Sequence, residues 1–150
     1  MIRAFIDIVY TSIQESRDGD QWRAMVAYQL LIVSKEDIGV ERSLGGVFYS
    51  LGQFSKYKHY LWYQEKRAVG VANFAASKKF SEIVQVNYDR MEKKQSSNFS
   101  QYIVNMRGEI NRNNVTFTAA SLIMSSWWFD NMTLMVDIMF NTQNKLVRQI

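Results

Sequence analysis

The chain has 150 residues, 47% of them hydrophobic, with 9 Phe, 8 Tyr, 8 Met and 4 Trp; that supplies one sizeable core, leaves too little length for two comfortable ones and excludes intrinsic disorder. The absence of Pro, with only 7 Gly, removes the usual punctuation of β-rich chains, and the absence of Cys excludes disulfides, thiolate nucleophiles and thiolate metal sites. A formal charge of +4 favours an anionic ligand or surface but falls short of the dense Lys/Arg stripe of a dedicated nucleic-acid binder.

In chain order, Ile2, Phe5, Ile6, Val9, Tyr10 and Ile13 recur at helical spacing and predict a first helix from Met1 to about Arg17, stopped by Asp18-Gly19-Asp20. Asp20 then caps a long helix to about Gln53, whose apolar positions Trp22, Val26, Leu30, Val33, Val40, Leu44, Val47 and Leu51 step by three, four or seven. Ser55 is the candidate cap of a third helix carrying Tyr57, Tyr60, Leu61, Val69, Ala72 and Phe74 and ending near Ala76. A fourth runs from about Ser77 through Phe80, Val84, Tyr88 and Met91 and frays at Lys93-Lys94-Gln95-Ser96-Ser97.

Phe99, Tyr102, Ile103 and Met106 mark a fifth helix with Asn111-Arg112-Asn113-Asn114 as its polar exit. After a longer loop, Ser125 or Ser126 caps a last helix that opens Trp127-Trp128-Phe129-Asp130 and continues to Val147. No run of about 18 apolar residues marks a membrane span. The expected fold is all-α: one domain over residues 1–150, an up-and-down antiparallel helical bundle of about four main helices plus shorter ones.

Catalytic and metal signatures are missing. His59 is the sole histidine, which argues against a zinc or di-iron site and a Ser-His-Asp triad. Gly39, Gly45 and Gly46 lack the GK[ST] of a phosphate loop and lie in a helical pattern, where close helix packing is the plainer reading. No cofactor is implied. The segment from Lys35 to Arg42 concentrates charge in an otherwise apolar helix, which costs stability unless the charges pair; its functional reading is an Arg42 held inward, with a fork of donors suited to a planar oxyanion. Arg107, following the apolar positions of the fifth helix, is the second candidate, ahead of Arg90. For each, a solvated or paired arginine is the plainer alternative. Trp127-Trp128-Phe129 reads as core or interface. Asn98, Asn114 and Asn131 head glycosylation acceptor patterns, the first two in expected loops or helix ends.

Lys35-Glu36, Gly39, Glu41-Arg42 and Gly45, followed by Phe48 and Gly52, together with Tyr28 and Met106-Arg107, resemble the second half of the nitrate- and nitrite-sensing domain. Trp127-Trp128-Phe129-Asp130-Asn131-Met132-Thr133 and Val136-Asp137 resemble the final helix of versions attached to animal receptor-type guanylyl cyclases. The resemblance implies a non-catalytic helical sensor, extracellular in receptors, that binds nitrate or nitrite through arginines, with Arg42 the best-matching position and Arg107 the second. It also implies a longer domain with an upstream bundle and an attached output domain. The expected partners are a small anion, nitrate or nitrite, and that output domain, with a homodimer left open and no nucleic acid. The competing expectation is a structural dimerisation or spacer module of a receptor, without a ligand of its own.

Overall fold

The computed structural model describes residues 2–15, 19–112 and 121–150. Among them the chain forms six helices and no strand: α1 (Ile2–Glu15), α2 (Gly19–Leu51), α3 (Tyr57–Phe80), α4 (Glu82–Lys94), α5 (Phe99–Arg112) and α6 (Leu122–Val147). With 33 residues, α2 is about 50 Å long at 1.5 Å per residue and serves as the rod on which the others are laid.

Side-chain bonds fix the register of its neighbours. Against α3, Arg23 donates to the Lys79 carbonyl (3.0 Å), Ser34 to the Gly70 carbonyl (2.7 Å), and Lys66 pairs with Asp37 (3.3 Å), so rising numbers on α2 meet falling numbers on α3. Against α6, Gln21 reaches the Ile150 carbonyl (3.3 Å), Lys35 donates to Gln143 (2.6 Å) and Ser125 donates to the Gly46 carbonyl (2.8 Å), again antiparallel. The remaining flank is shared. α4 lies along the C-terminal half of α6, where Asn87 donates to Thr142 (2.8 Å), and α5 packs at the N-terminal half, where the Tyr102 and Trp127 rings meet edge-on at 5.1 Å. α1 sets Ile2 and Ile6 against Val26 and Leu30 of α2. The all-α bundle expected from periodicity is the fold observed.

Helix ends depart from expectation in four places. α2 already includes Gly19, so Asp20 lies in its first turn rather than capping it. α3 starts at Tyr57 after Lys56 without a side-chain cap; the Ser55 hydroxyl lies instead 3.3 Å from His59 Nδ1. α3 runs on to Phe80, because Ser77 is buried inside it and satisfies its hydroxyl on the Phe74 carbonyl, so the corner falls at Ser81 and α4 opens at Glu82. α6 opens earlier than expected: Ser121 is its cap, accepting the Met124 N–H at 3.1 Å, while Ser125 is a tertiary contact. Asn113 and Asn114 lie outside the described residues.

Two glycines of α2 differ in kind. A Cβ on Gly45 would sit inside the Trp128 indole, which is fully buried, so this glycine is the notch that admits the largest side chain of the core. Nothing lies within 4 Å of where a Gly39 Cβ would be. Gly45→Ala is therefore expected to cost about 1–3 kcal/mol through overpacking, and Gly39→Ala to gain about 0.5–1 kcal/mol through helix propensity. Urea unfolding followed by circular dichroism checks both; equal effects would refute the distinction.

Candidate anion site on the central helix

The charged segment of α2 distributes its groups around the helix at 100° per residue. Lys35 turns to α6, where its ammonium also lies 4.7 Å from the Phe140 ring centroid; Asp37 turns to α3; Glu36 is exposed. Glu41 points inward with 0% exposure and is gripped by Arg107 from α5 through two bonds, Nε to Oε2 and Nη2 to Oε1, both 2.8 Å. Tyr63 of α3, also fully buried, donates its hydroxyl to Oε2 at 3.1 Å. Burial drives Arg107 toward its neutral form, but Glu41's charge and its hydrogen bonds outweigh that, and the guanidinium pKa is raised. Tyr63 is pushed up as well, first by burial and then by the Glu41 charge.

Arg42 faces the other way. Its guanidinium carbon stands 4.4 Å over the Phe129 ring, and Nη1 donates to Thr133 Oγ1 at 3.1 Å; that hydroxyl in turn donates to the Phe129 carbonyl at 2.8 Å. Arg42's own carbonyl accepts the Trp128 indole N–H at 2.9 Å. Its Nε is shut away from solvent, and among the described residues it has no acceptor and no carboxylate pairs with this charge. Of the Nε–Nη2 edge by which Arg107 holds a planar carboxylate, the Nε is unpartnered in Arg42 among the described residues. A desolvated donor without an acceptor costs about 1–3 kcal/mol, which a small planar acceptor reaching that edge would recover.

The two arginines singled out by sequence share no hydrogen-bond partner: Arg42 belongs to the α2–α6 interface, Arg107 to a carboxylate lock between α5, α2 and α3. Arg90 is held by Asn87 on its own helix at 2.8 Å. Sequence reasoning passed over Arg67, whose Nη2 bonds Gln64 (3.1 Å) while its Nε is buried and unpartnered, and nothing in the local pattern marks it. It also left Phe129 and Thr133 as parts of a motif without assigning them to Arg42. Of the glycosylation patterns, Asn98 is exposed, Asn114 lies outside the described residues, and Asn131 is 4% exposed and bonded to the Trp127 carbonyl, which closes it to a glycosyl acceptor role in the folded chain. Among the described residues no helix is long and apolar enough to cross a membrane, and no cluster of three His, Asp or Glu is arranged to hold a metal ion.

The stretches from Lys35 to Gly45 and from Trp127 to Thr133 therefore interlock, with Arg42 over Phe129 and Trp128 in the Gly45 notch. A family model for nitrate and nitrite sensing matches residues 1–150. The chain belongs to the nitrate and nitrite sensing family. Domains of this family are sensory parts of signalling proteins rather than catalytic ones. Comparison with curated proteins and with solved structures gives no match. The two interlocked stretches lie on α2 and α6 and meet at one interface.

Removing the carboxylate that Arg107 holds leaves an uncompensated buried charge. Glu41→Gln is expected to destabilise by about 3–5 kcal/mol, and the double replacement Glu41→Leu with Arg107→Met to recover most of that loss. The urea midpoints of the two variants check this; a Glu41→Gln effect below about 1 kcal/mol, the range of surface pairs, would refute the lock.

Proposed function

We propose that this sensory domain binds nitrate or nitrite at Arg42, in the seam between α2 and α6, and passes a shift of those helices to an attached output domain. The observation that carries the reading is the buried, unpartnered Nε of Arg42, on a guanidinium backed by Phe129 and steadied by Thr133. Nitrate and nitrite are planar and present two oxygens spaced much as a carboxylate does, so they fit the fork that elsewhere in this chain grips Glu41. Arg107 plays a different part: its fork is filled, and an oxyanion reaches it only by displacing Glu41. Arg42 is the primary contact, and Arg107 holds the α5 side of the bundle in place.

An anion at Arg42 touches groups from both α2 and α6, and a ligand shifts a conformational equilibrium only by the difference in its affinity for the two states. If one packing of these helices presents the fork better, the anion favours that packing. The output domain on this reading is a guanylyl cyclase or a comparable module, with the sensor on the extracellular face of a receptor; the Trp127–Thr133 stretch supports that assignment.

Calorimetric titration with nitrate and nitrite, with chloride as the control for ionic strength, tests the site. Saturable binding is expected in the parent chain. Arg42→Lys keeps the charge but loses the planar fork; forfeiting charge-assisted bonds worth about 1.5–3 kcal/mol weakens binding by about 10- to 100-fold. Arg42→Ala removes it. Unchanged binding by a folded Arg42→Ala protein, or no binding by the parent, would contradict the assignment.

A further inference from the structure

The outward face of α3 is more apolar than solvent exposure requires. Leu61 is 50% exposed, Trp62 46%, Val69 38% and Val71 40%. Between Leu61 and Ala75 the exposed positions of this helix carry a single charge, Glu65. Leu61, Glu65, Ala68, Ala72, Ala75 and Lys79 are spaced 4, 3, 4, 3 and 4 residues apart, all exposed. That is the period of a helix-packing seam, and Trp62 and Val69 flank it one heptad apart. α2 and α4 hold α3 by its opposite side, where Tyr63 bonds Glu41, the Gly70 carbonyl accepts from Ser34 and Phe74 meets Tyr88, so among the described residues this seam takes no part in the core.

We propose that this face is the contact between two copies of the chain, packed antiparallel about a two-fold axis that passes between Ala68 and Ala72. The charges select both the occupant and its direction. In a parallel pair each residue faces its own copy, so Glu65 meets Glu65 and Lys79 meets Lys79, and both repel. In the antiparallel pair centred between Ala68 and Ala72, Ala68 stands against Ala72 of the second copy. Glu65 then comes within about one helical turn, or 6 Å along the axis, of Lys79 of the second copy, within a lysine's reach. Among the described residues neither Glu65 nor the Lys79 ammonium forms an ion pair. The face is thus self-complementary, as a two-fold interface must be. The alanines let the backbones approach closely, while Trp62 and Val69 supply the apolar flanks.

This inference does not rest on anion binding. Sedimentation equilibrium across the micromolar range tests it on the chain itself, with the helical circular dichroism signal confirming that each surface variant is folded. A monomer–dimer equilibrium is expected. Ala72→Glu places two carboxylates beside the axis and should shift dissociation by tenfold or more, roughly the effect of 1.4 kcal/mol. Glu65→Lys and Lys79→Glu should each weaken the dimer, and the double swap should restore it. A monomer at every concentration, a dimer indifferent to Ala72→Glu, or a double swap no better than the single ones would each overturn the proposal.

Discussion

A carboxylate with no exposure to water has to be compensated, and Glu41 is compensated from two directions: a two-pronged guanidinium from α5 and a phenol from α3. Because α2 passes through the middle of the bundle, this requirement sets its rotation about its own axis. Once Glu41 is turned toward Tyr63 and Arg107, the next residue, 100° on, is turned toward α6. The orientation of Arg42 over Phe129 is a consequence of where Glu41 must go.

The same rotation brings Gly45 under Trp128 and the Gly46 carbonyl within reach of the Ser125 hydroxyl, so the α2–α6 seam is tight at one end. At Arg42 it changes character: among the described residues Nη1 has an acceptor, Nε has none, and the charge has no carboxylate partner. A rigid notch beside an unsatisfied donor suits a sensory domain. The notch fixes the geometry of the seam, and on the proposed reading the unpartnered Nε gives a small anion something to gain there. The carboxylate lock ties α3 and α5 to the other side of α2, which separates the proposed sensing contact with α6 from the groups that hold the fold.

Much of this was legible in the sequence, for identifiable reasons. With no proline, the 3.6-residue recurrence of apolar positions runs unbroken through each element, and it placed all six helices. Boundaries were less legible because serine hydroxyls have several outlets: Ser77 bonds within α3, Ser125 spends its hydroxyl on α2, and the true cap of α6 is Ser121. Arg42 was marked by a charge-dense segment in an apolar helix. What the pattern could not tell is that Arg107 is occupied and Arg42 is not, since the deciding partner of Arg107 is 66 residues away in sequence and the ring beneath Arg42 lies on another helix. Local spacing reports which face a side chain occupies, not whether its hydrogen bonds are already made.

That difference in occupancy is the centre of the account, and arginine side-chain NMR reads it directly. In a nitrate titration followed on the guanidinium Nε–H resonances, Arg107 should be protected from exchange before any anion is added and should stay in place. Arg42 should move saturably as its Nε acquires an acceptor. Movement of Arg107 with Arg42 unchanged would mean that the anion displaces Glu41 and that the site has been assigned to the wrong side of the helix.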